Sequence, residues 1–147
     1  MISNFELEST GDKIFRLTDY RGKKLVIYFY PKDDTPGCTT ESKQFSDLYE
    51  QFKALNCEIV GISRDSLKSH ENFKEKLELP FNLLSDSSET VCNHFEVMKL
   101  KNMYGKQVRG IERSTFVVDE QGKLIKEWRG VKVPGHVEEV LSFIKSL

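Results

Sequence analysis

One cysteine stands where a run of strand-forming residues passes through a proline- and glycine-bounded turn into a helical pattern. The stretch reads Tyr28-Phe29-Tyr30-Pro31-Lys32-Asp33-Asp34-Thr35-Pro36-Gly37-Cys38-Thr39-Thr40-Glu41. Beyond it the apolar positions Phe45, Leu48, Phe52 and Leu55 recur at helical spacing, so a helix is expected over Thr39–Leu55 with Cys38 at its start. The first N–H groups of a helix lack intrahelical partners and its dipole is positive at that end, so a thiol there is expected to be a thiolate, the form that acts as nucleophile. Pro31 and Pro36 restrict the turn and remove two N–H donors, while Gly37 lets the backbone approach closely just before the thiol. Read by themselves, Thr35 is a turn or cap residue, Glu41 a favourable first-turn acid and Arg113 a solvated surface cation.

The elements that must position this thiol follow from the same patterning. Leu25 to Tyr30 is an unbroken run of strand formers, as expected of a central strand buried on both faces. Ile14–Leu17 reads as a short edge strand. After the first helix come a strand at Glu58–Ser63, a helix at Ser66–Leu77 capped by Asp65 or Ser66, a strand at Phe81–Leu84 and a helix at Ser87–Phe95. Thr115–Val118 and Leu124–Trp128 form a hairpin around Glu120-Gln121-Gly122, and a helix over Gly135–Leu147 buries Val137, Val140, Leu141 and Ile144. Alternating strands and helices closed by a hairpin and a helix predict an α/β fold, a mixed sheet with helices on both faces.

The 147 residues suit a single domain, with lysine and glutamate mixed along a chain of formal net charge -1, which argues against a nucleic-acid or membrane-surface role. No apolar run approaches the roughly 18 residues of a membrane span, and no leader pattern opens the sequence. Cys38, Cys57 and Cys92 make neither a disulfide framework nor a CxxC pair, and His70, His94 and His136 show no zinc-ligand spacing. Reduced thiols in the cytoplasm, without metal or dissociable cofactor, are expected.

Pro31, Thr35 and Cys38 stand as PxxxTxxC, and this stretch resembles the active site of peroxiredoxins, in particular the bacterioferritin comigratory protein (Q-type) subgroup. The likeness continues through GISRDS at Gly61–Ser66, LLSD at Leu83–Asp86, VCNHFEV at Val91–Val97 and ERSTFVVDEQGKL at Glu112–Leu124. The resemblance implies a thioredoxin-like fold and reduction of hydrogen peroxide and organic hydroperoxides. It implies Cys38 as the nucleophile that becomes a sulfenic acid, Thr35 as a hydroxyl on thiolate and peroxide, Arg113 as the active-site arginine and Glu41 as the carboxylate that holds it. Arg129 has no motif support and reads as surface.

The sequence departs from the subgroup in recycling. The subgroup's resolving cysteine, five residues after the nucleophile, is here Lys43, and Ser66–Leu77 holds no cysteine. Cys57 and Cys92 fall in apolar surroundings and are expected to pack. A one-cysteine cycle is therefore expected, with thioredoxin, glutaredoxin or glutathione as reductant and the protein a monomer or weak dimer. A thioredoxin-like reductase lacks its CxxC because Glu41 stands three residues past Cys38, and a Cys–His hydrolase needs His94 or His136 beside the thiol. A redox sensor or chaperone passing oxidation to a partner is the remaining alternative.

Overall fold

The computed structural model describes residues 4–147, without the Met103 side chain. Its order is β1 (Glu6–Ser9), β2 (Lys13–Arg16), β3 (Lys24–Phe29), α1 (Pro36–Ala54), β4 (Cys57–Ser63), α2 (Leu67–Leu77), β5 (Asn82–Ser85), α3 (Thr90–His94), β6 (Met98–Met103), β7 (Lys106–Ile111), β8 (Ser114–Val118), β9 (Leu124–Arg129) and α4 (His136–Lys145). Seven strands form one mixed sheet in the order β2-β1-β5-β4-β3-β8-β9, and β6 pairs with β7 alone. β3, β4 and β5 are parallel, joined by the crossovers through α1 and α2, while β8 runs antiparallel to β3.

The unbroken apolar run of β3 is explained by this place: it lies between β4 and β8, and both its faces are covered. Val26, Tyr28 and Tyr30 point into a core with Phe45 and Phe52 of α1, Phe73 of α2 and Val137, Val140 and Ile144 of α4. Leu25, Ile27 and Phe29 point the other way, to Val91 and Cys92 of α3, with Phe95, Val97 and Ile111. Each of these fully buried side chains contributes about 1.5–3 kcal/mol from removal of apolar surface. Tyr28 lies opposite Gly61 across the parallel pair, and a Cβ on Gly61 would stand 2.8 Å from the Tyr28 ring and 2.9 Å from Leu83 Cδ2. The space that glycine leaves holds the ring whose hydroxyl meets Ser42 Oγ of α1 at 2.9 Å.

Several boundaries differ from the sequence pattern. α1 begins at Pro36 and not at Cys38, because proline is preorganised for the first helical position; Thr35 is the cap residue and Cys38 lies inside the first turn. α2 is capped by Ser66, whose hydroxyl accepts from Ser69 N at 3.1 Å. α3 is shorter than expected because Glu89 adopts φ +65° and Asp86 accepts from Val91 N at 3.2 Å and Cys92 N at 2.7 Å, fixing the helix start. The sequence reading leaves β1 unassigned, and also β6 and β7. The latter two are joined by Tyr104-Gly105, both at positive φ, the geometry of a tight two-residue hairpin.

Candidate active site

β3 ends where the carboxyl edge of the parallel strands opens, the usual place for a site in such sheets, and the turn from Tyr30 to Thr35 delivers the chain into α1 there. Cys38 is 1% exposed, one wall of its surroundings being the apolar core to which it belongs together with Tyr28, Phe45 and Val137. The other wall is Arg113, placed just before β8 by the pairing of Ser114 with Phe29 and by Val131 N donating to Arg113 O at 2.9 Å. Arg113 Nη2 donates to Cys38 Sγ at 3.5 Å, and Nη1 donates to Glu41 Oε1 at 2.7 Å. One guanidinium thus spans thiol and carboxylate. Gly37 makes this approach possible: a Cβ there would be 3.1 Å from Arg113 Nη2.

Glu41 is wholly buried and its Oε2 has no hydrogen-bond partner. Burial pushes its carboxyl up to about 7 although the Arg113 charge and hydrogen bond pull the other way. Burial opposes the charge on Arg113 in turn, but Glu41 and Cys38 outweigh it and raise the arginine's pKa. A cation that cannot deprotonate, beside a sulfur, can stabilise a thiolate and negative charge on a departing oxygen.

Thr35 Oγ1 donates to Lys32 O at 2.8 Å, which closes the turn and leaves its lone pairs to accept. Pro31 is half-buried at the opposite end of the same turn. The turn is anchored through Asp33, a residue to which the sequence pattern gives no role. Lys101 is a further unforeseen neighbour, brought in from β6. Its Nζ donates to Ile111 O at 2.6 Å, and burial, then the nearby Arg113, lower its pKa while Cys38 raises it. The tight Tyr104-Gly105 turn is the one sequence signal that could have disclosed that hairpin.

The other candidates are placed elsewhere. Cys57 is buried at the start of β4, its thiol pushed up to about 12 by burial, and Cys92 is buried in α3 with its pKa raised by burial and by Asp86. Burial thus favours the thiol over the thiolate at both positions. His94 is exposed, and His136 meets Thr115 Oγ1 at 2.8 Å, its pKa lowered by burial. Arg129 is exposed, as expected, but held in place: its guanidinium donates to the carbonyls of Phe95 and Glu96, past the end of α3, at 2.9 and 3.0 Å and lies over the Phe116 ring. Asp33, Asp65 and His70 bring ligand-type atoms within 4.8 Å of one another, but these atoms are engaged in hydrogen bonds with the protein. No helix among the described residues is long and apolar enough to cross a membrane.

The AhpC/TSA family profile matches residues 1–127. Peroxiredoxin Bcp of Bacillus subtilis is 51% identical over 97% of this chain and 92% of its own length, and that of Xanthomonas campestris 50% identical over 95% and 88%. The solved Xanthomonas campestris bacterioferritin comigratory protein, described for its alkyl peroxide reduction activity, superposes with a TM-score of 0.92 at 48% identity, covering 97% of this chain and 90% of that one. A peroxiredoxin 6 of Arenicola marina shares the fold at a TM-score of 0.87, with 20% identity over 99% of this chain and 70% of that one. Matched by family and by fold, the chain belongs to the AhpC/TSA family, as a peroxiredoxin of the bacterioferritin comigratory, or Q, type.

Proposed function

We propose that this peroxiredoxin works by a one-cysteine cycle in which Cys38 is the attacking thiolate. The observation that carries the reading is the Arg113 fork, 3.5 Å from Cys38 Sγ with its other arm fixed by Glu41 at 2.7 Å. The Cys38 sulfur attacks one peroxide oxygen in line. A sulfur–oxygen bond forms, the oxygen–oxygen bond breaks, and the leaving oxygen takes a proton to depart as water or alcohol. Arg113, the Cys38 amide within the first helical turn and the Thr35 hydroxyl are the groups that align the peroxide and meet the developing charge. Cys38 is left as a sulfenic acid.

Recycling then falls to an external thiol. Lys43 occupies the subgroup's resolving position, α2 contains no cysteine, and both remaining thiols are buried with raised pKa values. A first thiol displaces water from the sulfenic acid to give a mixed disulfide, and a second releases Cys38. Thioredoxin, glutaredoxin and glutathione are the classes of reductant that fit. The three free cysteines suit work in the reducing cytoplasm, by a single domain acting as a monomer or weak dimer.

Intact mass spectrometry after one equivalent of peroxide tests the cycle. A gain of one oxygen, absent in Cys38→Ser, is expected. A loss of two hydrogens, with a Cys38 disulfide in the non-reducing peptide map, would replace the one-cysteine cycle with an internal resolver. Peroxidase turnover in Cys38→Ser would remove Cys38 from the chemistry altogether.

A further inference from the structure

The turn that presents Cys38 is held at one point. Asp33 is 6% exposed, between exposed Lys32 and Asp34, and its carboxyl group makes three side-chain hydrogen bonds. Tyr30 OH, from the end of β3, donates to Oδ1 at 2.6 Å; Ser69 Oγ of α2 donates to Oδ2 at 2.8 Å; and His70 Nδ1 of α2 meets Oδ2 at 2.7 Å. Asp33 N donates to Asp65 Oδ2 at 2.8 Å, and that same oxygen accepts from Ser63 Oγ at 2.6 Å. The adjoining Asp34–Lys76 pair is about equally exposed on both sides and anchors little.

His70 has no exposed surface, and its Nε2 lies 2.9 Å from the carbonyl of Leu84, which can only accept, so Nε2 carries a hydrogen. A second hydrogen must lie between Nδ1 and the Asp33 carboxylate. That hydrogen joins ring and carboxyl whichever of the two carries it. As a unit the pair is net neutral, and both side chains are buried. The groups facing it are Tyr30 just past β3, Asp65 from the β4–α2 loop and Ser69 from its own helix; β5 offers only the carbonyl.

We propose that Asp33 and His70 are a positioning pair for the peroxide site: they pin the β3–α1 turn to α2 and thereby fix Thr35 and the first turn of α1 around the Cys38 sulfur. Neither touches the reacting atoms. The turn has no other buried side-chain anchor between Tyr30 and Thr35, and Asp34 follows at φ +62°, a left-handed conformation that a non-glycine residue keeps only when its surroundings impose it. The proposal rests on Cys38 being the reacting thiol.

The test compares two second-order rates of Cys38 in the full-length reduced protein: oxidation by hydrogen peroxide, which needs aligned donors, and alkylation by neutral iodoacetamide, which needs only the sulfur. In Asp33→Ala the peroxide rate should fall on the order of 10- to 100-fold further than the alkylation rate, since displacements of about 1 Å cost rates of that size. Asp33→Asn should recover much of the loss, because its amide can donate to a neutral His70 ring. Nitrogen-15 NMR should show Nε2 of His70 protonated in the parent and in Asp33→Asn alike, as the Leu84 carbonyl requires, with the Nδ1 signal displaced in the variant. If Asp33→Ala does not fold, Tyr30→Phe and Ser69→Ala each remove one bond to the carboxylate and should each lower the rate ratio by a smaller step. An unchanged ratio in folded Asp33→Ala, or in both milder variants, overturns the proposal. A parent protein whose peroxide reaction survives Cys38→Ser refutes the underlying reading instead.

Discussion

Replacing Glu41 by glutamine should reverse part of the protein's dependence of stability on pH. The Glu41 carboxyl is wholly buried, has one oxygen without a partner, and is raised from an ordinary value of 4.5 to about 7, burial outweighing Arg113. Between those two values the folded chain keeps a proton that the unfolded chain has released, so stability is full below pH 4.5 and is lost as pH rises through 7. The whole loss is about 3 kcal/mol, a large part of a small domain's stability. Glutamine cannot ionise, and its carbonyl still accepts from Arg113 Nη1. Urea unfolding of both proteins from pH 4.5 to 8 should show the glutamine variant gaining about 3 kcal/mol on the parent across that range. Parallel stability curves would refute the reasoning, for they would mean that Arg113 fully offsets burial and Glu41 is ionised throughout.

Arg113→Lys should retain the fold and lose peroxide reactivity by roughly 100-fold or more, because an ammonium cannot span Glu41 and Cys38 together; stopped-flow oxidation of Cys38 reads it, and a rate equal to the parent's would show the fork to be idle. Gly61→Ala should lower stability by about 1–3 kcal/mol in urea unfolding, the added methyl pressing on the Tyr28 ring and Leu83. The Cys57→Ser, Cys92→Ser double variant should turn over with external thiols at the parent's rate, and both should overoxidise to the sulfinic acid in excess peroxide unless reductant is raised, as followed by mass spectrometry. Loss of turnover in the double variant would show that one of these cysteines resolves Cys38.

What could be read from the sequence is what neighbouring residues decide together. The apolar run at Leu25 to Tyr30, the helical spacing from Phe45 to Leu55 and the turn opened by Pro31 are local patterns, and strand, turn and helix follow one another in the fold as those patterns place them. The helix start moved because Pro36 favours a first helical position, a finer signal than apolar spacing. Contacts made across the chain left no such trace. Glu41 meets Arg113 across 72 residues and Asp33 meets His70 across 37, and without the resemblance neither Arg113 nor Glu41 differs on paper from any surface charge. The hairpin of β6 and β7 escaped because it stands largely in solvent: Leu100, Tyr104 and Val108 are exposed among lysines, so no alternation of buried and open positions marks it.

Cys38 lies within a closed first turn of α1 with 1% of its surface open, and this bears on timing as much as on chemistry. A peroxide is small enough to reach the sulfur where it stands, whereas in the proposed one-cysteine cycle a protein reductant would have to bring its own sulfur into line with it, which calls for that turn to unwind. Under that proposal the oxidised half of the cycle has a gate that the other half lacks. As protein reductant is added, turnover should level off at the opening rate of the helix end, at one ceiling shared by chemically different proteins. Below that ceiling the reductants compete by encounter; above it, the helix keeps the time.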